Sequence, residues 1–342
     1  MPGIYDEPEL YEAACAYRDV PGEVSALLRW SGKHGDAGPR SVLELAAGPA
    51  EHSRELARRG LDATTLDLSP AMCARARELA AADGIALTVV QGDMRDFSIP
   101  RQFDLAITML NSLCHLLTLD DLLHHLACLA RHVAPGGLYI VELAHPADFL
   151  AAERRTSSEW SSEFDGGTVS VRWGGGSDEI DPITQITREH VRVTYSKRGG
   201  GVRTVTDVVP NRFWTATELT AAIRLAGGFT VAARYGDFDA DTSVEAPDAW
   251  RMILVLRREG PAAEPAPPSK LCAWRPTASG GPDAVRAMMG PVRPMTGPAP
   301  ADPRSPGRAG GSGPGWTPPP GSASCPRARP PGARPRARHG RS

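Results

Sequence analysis

The sequence lacks several features that would suggest a function directly. Its six cysteines, at positions 15, 73, 114, 128, 272 and 325, form no C-x-x-C pair, which argues against a zinc ribbon, a redox dithiol or a secreted disulfide scaffold. There is no G-x-S-x-G elbow and no G-x-x-x-x-G-K-[ST] loop, so hydrolase and P-loop functions have no support. No signal peptide and no run of about eighteen apolar residues is present, and we therefore expect a soluble protein in a reducing cytoplasm.

Charge is distributed unevenly along the 342 residues. Residues 260–342 contain twelve Lys and Arg against three Asp and Glu, so this segment carries +9 and residues 1–259 carry −11 of the net −2. The segment is rich in Pro, Gly, Ala, Ser and Arg and has no hydrophobic period, which predicts disorder. Without interleaved aromatic residues, its basic run does not predict nucleic-acid binding.

Residues 35–259 show the alternation of strands and helices that is typical of an α/β domain. We expect an open, doubly wound and mostly parallel sheet of seven strands, with ligands at the carboxyl ends of the strands. Pro135-Gly136-Gly137 is expected to end a helix before the fifth strand. The predicted strands are 41–45, 63–67, 87–91, 103–109, 138–143, 229–234 and 250–256.

Two further segments depart from this alternation. Residues 10–30 have helical spacing and predict an N-terminal helical cap within residues 1–34. Within an insert at about residues 155–210, three segments have a period of two (168–173, 186–195 and 202–209), which predicts an antiparallel sheet over the active site.

Three residues on successive turns of the predicted sheet indicate an adenosine site. Gly48 allows close approach of the backbone to a ligand after the first strand. Asp67 ends the second strand nineteen positions later, where a carboxylate can accept hydrogen bonds from both hydroxyls of a ribose. Asp93 follows the third strand and can accept from an adenine amine. Each signal is weak alone, and their joint spacing favours nucleotide binding.

These motifs resemble those of class I S-adenosylmethionine-dependent methyltransferases over roughly residues 35–256. The segment Glu44 to Ala50 is similar to the family's acidic-x-Gly-x-Gly-x-Gly motif, with Ala46 and Ala50 in place of the outer glycines. Segments 66–72 and 91–97 look like the ribose and adenine segments. The details look most like small-molecule members, including glycine-type and amino-sugar N-methyltransferases.

The resemblance implies S-adenosylmethionine as the cofactor and assigns its contacts residue by residue. Tyr11, or alternatively Tyr5, would close over the cofactor from the N-terminal segment. The remaining predicted contacts, from the amino-acid end of the cofactor to its adenine, are Glu44, Ala46, Gly48, Met109, Asp67, Leu68, Met72, Asp93 and Met94.

Histidines supply the candidates for proton transfer, because an imidazole titrates near neutral pH. His115 follows the fourth strand at the edge where an acceptor would lie, and His145 follows the fifth strand. His124, His125 and His132 are expected to face solvent, because leucines form the apolar stripe of their helix. No Asp or Glu joins these histidines at metal-ligand spacing. We therefore predict no metal site.

The sequence leaves the reaction partly open. We favour transfer of a methyl group to a small-molecule amine, because the acidic body suits a cationic or neutral acceptor. Methylation of oxygen or carbon and a non-catalytic nucleotide-binding protein are the alternatives. An NAD-dependent dehydrogenase is a remote one, because Ala46 and Ala50 break the G-x-G-x-x-G pattern. The sequence predicts no nucleic-acid or membrane partner and does not indicate an oligomeric state.

Overall fold

The computed structural model describes residues 3–150, 157–239 and 241–260. Disorder was predicted for residues 260–342. From residue 261 onward, this segment lies outside the described part of the chain. The helices are α1 Pro8–Cys15, α2 Val20–His34, α3 Glu51–Arg58, α4 Pro70–Ala82, α5 Leu119–His132, α6 Ala147–Leu150 and α7 Ala216–Ala226. The strands are β1 Ser41–Leu45, β2 Asp62–Asp67, β3 Leu87–Gln91, β4 Phe103–Thr108, β5 Val133–Ala144, β6 Ser157–Phe164, β7 Gly167–Gly174, β8 Ile186–Lys197, β9 Val202–Arg212, β10 Phe229–Tyr235 and β11 Arg251–Arg258.

Seven strands form the main sheet in the order β10-β11-β5-β4-β1-β2-β3. The pairs β1–β2, β1–β4, β2–β3 and β4–β5 are parallel, and β11 runs antiparallel to both β5 and β10. The predicted doubly wound, mostly parallel sheet is thus confirmed. The strand order reverses between β1 and β4, and such a reversal opens a crevice at the carboxyl ends of the strands.

A second sheet has four antiparallel strands in the order β6-β7-β8-β9. The sequence predicted three of them and missed β6, whose serine and glutamate residues carry no apolar alternation that would mark a strand. The inward face of the second sheet packs against Ile4, Leu10 and Ala13 of the N-terminal segment. The valines on this face are Val169, Val171, Val191 and Val193. The N-terminal segment is therefore part of the core of the second sheet. The boundaries at residues 34/35 and 259/260 stay predictions.

The Pro135-Gly136-Gly137 segment lies inside β5, which corrects its prediction as a turn between a helix and a strand. Helix α5 ends at His132, and β5 begins at the next residue. Phe103 pairs with Val133 but Leu105 pairs with Leu138, so β5 carries three extra residues between these two pairs. Gly136 has a φ of 78°, which lets the strand bulge here without breaking its pairing with β4.

Apolar side chains fill both faces of the main sheet. One face packs against α5 and α7 through Leu126, Leu129 and Ile223. The other packs against α2 and α3, where Trp30 is fully buried and stacks on Tyr235 at 4.4 Å between ring centroids. None of the helices in the described ranges has the length and apolar composition needed to cross a bilayer.

Left-handed backbone surrounds the turn after β1. Ala46, Gly48 and Ala50 have φ angles of 51°, 55° and 61°. The two alanines stand where glycine is usual in the motif that this segment resembles, and a Cβ in this region costs about 1–2 kcal/mol. The turn therefore keeps the backbone geometry of the glycine motif although alanine occupies two of the glycine positions, and its backbone is strained there.

This strain predicts the effect of restoring a glycine. Ala46→Gly should raise the free energy of unfolding by about 0.5–1 kcal/mol, because the relief of strain exceeds the entropy lost by ordering a glycine. Ala74→Gly is the control, since Ala74 is exposed within α4 and the same change should lower the value by about 1 kcal/mol. Urea denaturation measures the free energy of unfolding of both variants. An equal decrease of this free energy in Ala46→Gly and Ala74→Gly would contradict the assignment of strain.

Candidate active site

A cavity of about 950 Å³ opens at the carboxyl ends of β1, β2 and β4 and extends beneath the second sheet. This volume is near the upper end of the ~300–1,000 Å³ range of small-molecule sites, which leaves room for two ligands. Of the predicted site residues, nine line the cavity: Tyr11, Ala46, Gly48, Asp67, Leu68, Met72, Asp93, Met94 and His115. Glu44, Met109 and His145 do not.

Asp67 ties the ends of β1 and β2 together. Its Oδ2 accepts a hydrogen bond of 2.7 Å from the Gly48 amide, and its Oδ1 accepts one of 2.8 Å from the Ser69 amide. Burial raises the pKa of this carboxyl above its usual value, while the two backbone donors lower it. Each oxygen has a second lone pair, so the carboxylate can accept from a ligand's vicinal hydroxyls while it holds the turn.

The turn after β1 and the start of α4 leave space for a ligand between them. A Cβ at Gly48 would lie 3.5 Å from Tyr11 Cε1 and 4.0 Å from Met72 Sδ, so any side chain there would project among these cavity residues. Leu68, next to Asp67, is 67% exposed. An apolar side chain this exposed at the mouth of a cavity offers a surface that a flat ring can cover.

The turn after β3 presents Asp93 and Met94 to the cavity. Arg95 clamps the Asp93 carboxylate with donors from Nε and Nη2 at 3.0 and 2.6 Å, and this pairing lowers the carboxyl pKa. The Met94 carbonyl accepts a hydrogen bond of 2.8 Å from His125 Nδ1. Burial lowers the pKa of His125 to about 4, so this ring is neutral and fixes the turn.

That position of His125 corrects the expectation that it faces solvent. His132 is also buried, and its Nε2 accepts a hydrogen bond of 3.1 Å from the Ile99 amide. His124 is exposed, as expected. The expectation failed because the buried face of α5 is wider than its leucine stripe, and it takes in polar side chains whose hydrogen bonds are satisfied by neighbouring backbone.

Glu44 lies behind the cavity wall in a buried group of charges. Its Oε2 accepts from the amide and hydroxyl of Ser53 at 2.8 and 2.5 Å, which anchors the start of α3. His52 places Nδ1 3.5 Å from Glu44 and Nε2 2.8 Å from Glu23. Burial alone would lower the pKa of His52, but its carboxylate partners outweigh this effect and raise it to about 10. His52 is therefore a cation at neutral pH.

Arg18 continues this group to the turn after β4. Its guanidinium contacts Glu23 at 2.5 Å and Glu142 at 2.9 Å, and Arg251 lies 2.9 Å from Glu142. Glu142 Oε2 also accepts a hydrogen bond of 2.9 Å from the Leu110 amide. Leu110 has a left-handed backbone conformation with a φ of 55°. Leu110 lines the cavity at this turn, whereas the preceding Met109 is buried in the core.

His115 and Tyr5 meet at the middle of the cavity. Tyr5 Oη lies 3.0 Å from His115 Nε2, and the Tyr5 carbonyl accepts from Ser69 Oγ at 2.8 Å, next to Asp67. Burial lowers the pKa of His115, which keeps the ring neutral at neutral pH, and it raises the pKa of Tyr5 well above its usual value. A neutral imidazole is thereby held on the cavity wall, with Tyr5 connecting it to Ser69 beside Asp67 and Cys114 connecting it to Asn211 of the second sheet.

His145 is used by the fold instead. Its Nε2 donates to the Val244 carbonyl at 2.9 Å, and its Nδ1 accepts from the Ala147 amide at 3.2 Å. The ring is not on the cavity wall, so this geometry keeps His145 away from a ligand bound in the cavity.

The half of the cavity beneath the second sheet was largely missed by sequence reasoning. In the described part of the chain, nine aromatic residues line the cavity, among them Trp160, Trp173 and Phe213. Nine carboxylates and three arginines line it as well. The arginines are Arg18, Arg95 and Arg251, all engaged with carboxylates. The signal that could have found this half is Glu189, a carboxylate on the apolar face of a strand with a period of two.

Comparison with known proteins identifies the family of this chain. A family described as "Methyltransferase domain" matches residues 42–137, which contain β1 from its second residue, β2 to β4 and the turns around Gly48, Asp67 and Asp93. Over 55% of its length the chain is 32% identical to dTDP-3-amino-3,4,6-trideoxy-alpha-D-glucopyranose N,N-dimethyltransferase of Streptomyces venezuelae, covering 74% of that protein. It is 30% identical to glycine/sarcosine N-methyltransferase of Parasynechococcus marenigrum, over 62% of this chain and 70% of the relative.

The fold has a matching solved structure. An S-adenosylmethionine-dependent methyltransferase from Clostridium acetobutylicum superimposes with a TM-score of 0.62, covering 73% of this chain and 96% of that one, at 15% identity. The matches in sequence favour a methyltransferase over the dehydrogenase alternative. The relatives in sequence, the matched domain and the shared fold agree, and the chain belongs to the S-adenosylmethionine-dependent methyltransferases.

Proposed function

We propose that the protein transfers a methyl group from S-adenosylmethionine to the nitrogen of a small-molecule amine. The observation that carries the proposal is the two-part cavity. One part has the turns, carboxylate and apolar surface suited to an adenosine, and the other has aromatic and acidic walls suited to a cation. The similarity to amino-sugar N,N-dimethyltransferases and to a glycine/sarcosine N-methyltransferase supports an amine acceptor.

The residues present fit the cofactor. Asp67 has lone pairs for ribose hydroxyls, Leu68 offers an exposed apolar surface for the adenine, and Asp93 is an anionic acceptor for its amine. The missing side chain of Gly48 keeps the space beside Tyr11 and Met72 open. Glu44 and Met109 support this region from behind. When bound, the cofactor supplies a methyl group already activated by a sulfonium.

The chain must then align the acceptor, exclude water and accept a proton from the acceptor amine. Aromatic side chains line the acceptor half and exclude water there. His115 accepts a proton from the amine at Nε2, because its lowered pKa leaves it neutral at physiological pH. Tyr5, whose hydroxyl lies 3.0 Å from this nitrogen, orients the imidazole.

Asp67→Asn should weaken binding of S-adenosylhomocysteine by about a hundredfold, because hydrogen bonds to a charged group contribute about 1.5–3 kcal/mol each. Isothermal titration calorimetry measures the affinity. Asp62→Asn is the matched control, since Asp62 begins the same strand with a side chain that is 60% exposed, and its affinity should equal the parent's. Parent-like affinity in Asp67→Asn would remove Asp67 from the cofactor site.

His115→Gln should reduce kcat by about 10²–10⁴-fold while leaving S-adenosylhomocysteine binding within about threefold of the parent. In the parent, kcat should fall as pH decreases, with a midpoint below the usual imidazole pKa, because protonated His115 cannot accept a proton. The variant should lose this acid limb. A variant that turns over at the parent rate, or retains the limb, would show that His115 is not the base.

The acceptor atom can be identified directly. Incubation with methyl-labelled S-adenosylmethionine and a metabolite extract should yield a labelled product that mass spectrometry and NMR place on nitrogen. His115→Gln serves as the control that separates enzymatic from background labelling. A label found on oxygen or carbon would overturn the proposed acceptor class, and no label with normal cofactor binding would favour a non-catalytic binding protein.

A further inference from the structure

Among the described residues, Glu189 is a carboxylate in the acceptor half of the cavity, beneath the second sheet, with no cation beside it. It lies on β8, where Thr187, Val191 and Val193 on the same face are buried. Side chains two residues apart share a face, so Glu189 points inward with them. In the described part of the chain, the charged group acting on it is the Asp178 carboxylate, which has the same sign.

Two neutral donors hold this carboxylate by one oxygen. Trp173 Nε1 donates to Glu189 Oε2 at 2.7 Å, and Asn211 Nδ2 donates to the same atom. Glu189, Trp173 and Asn211 all line the cavity. The carboxylate is thus fixed in orientation without being neutralised, and burial raises its pKa. A partly buried anion of this kind is stabilised when a ligand brings a positive charge to it.

Contacts connect this carboxylate to the reacting groups. Asn211 Oδ1 accepts from Cys114 Sγ at 3.1 Å, and Cys114 precedes His115 in the chain. The charge of Glu189 also acts on the Tyr5 hydroxyl, which is the partner of His115. A group bound at Glu189 therefore lies in the same part of the cavity as the imidazole.

We propose that Glu189 is the specificity-determining residue that binds the ammonium group of the acceptor, held in place by Trp173 and Asn211. The inference rests on the proposed function and adds to it the group that selects amines. An ammonium donates charge-assisted hydrogen bonds to the carboxylate, whereas an alcohol of the same shape leaves its charge uncompensated. The expected preference for an amine over its matched alcohol is about tenfold to a hundredfold.

The test compares matched ligand pairs on the protein saturated with S-adenosylhomocysteine. The pairs are glucosamine with glucose and phenethylamine with 2-phenylethanol, and ligand-observed NMR titration at pH 7.5 gives the dissociation constants. In the parent, an amine should bind at least about tenfold more tightly than its alcohol. Glu189→Gln keeps an acceptor for Trp173 and Asn211 but removes the charge, and the two affinities should then agree within about threefold.

Glu163→Gln is the matched control. Glu163 lies on β6 of the same sheet, is exposed, and does not line the cavity, so the same loss of charge there should leave the amine preference unchanged. The inference is overturned if neither amine outbinds its alcohol in the parent, or if the preference survives in Glu189→Gln.

S-adenosylhomocysteine binding separates this inference from the proposed function. A parent protein that does not bind S-adenosylhomocysteine would contradict the proposed function itself. Normal binding and N-methylated product, with an amine preference that survives Glu189→Gln, would overturn only the role of Glu189. If Glu189→Gln does not fold, Trp173→Phe is used instead, because it removes a hydrogen-bond donor to Glu189 and keeps an aromatic ring. A threefold smaller preference for the amine over its alcohol supports the role of Glu189, and an unchanged preference overturns it.

Discussion

A buried group of balanced charges holds the turns that form the floor of the cavity. Three carboxylates and three cations take part, with His52 protonated: Glu23, Glu44, Glu142, Arg18, Arg251 and His52. They belong to five different parts of the fold: the N-terminal helical region, β1, α3, β5 and β11. Removing one partner would leave a buried charge without compensation, which typically costs about 3–5 kcal/mol. The cavity therefore depends on this group, of which Arg18, Glu23 and Arg251 line it and the other three members lie behind its wall.

The same group explains how strained backbone persists on both sides of the cavity. Glu44 anchors α3 just after the left-handed residues Ala46 and Ala50, and Glu142 anchors the left-handed Leu110. Side chains in this conformation persist where surrounding contacts determine them. Glu44 and Glu142 supply these contacts from the protein interior, which leaves the side of each turn that faces the cavity available to ligands.

The cavity residues proposed to bind the cofactor could be brought together from sequence because they follow a local rule. Asp67 ends β2, and Gly48 and Asp93 lie in the turns just after β1 and β3. Parallel strands bring their carboxyl ends to one edge, so short motifs were sufficient. The acceptor half has no such rule. Trp173, Glu189 and Asn211 come from different strands of the antiparallel sheet, and only its register brings them together. The role of Glu44 as an anchor was equally hidden, because its partners Ser53 and His52 are defined by packing.

The N-terminal segment belongs to two structures at once. Tyr5 and Tyr11 line the cavity, while Ile4 and Leu10 are buried against the valines of the second sheet, and the Ile4 amide donates to Asp207 at 2.9 Å. Moving this segment away from the cavity would expose that apolar surface to water. The passage of ligands in and out is therefore coupled to the stability of the second sheet, so substitutions far from the reacting atoms can change the rate of product release without altering the chemical step.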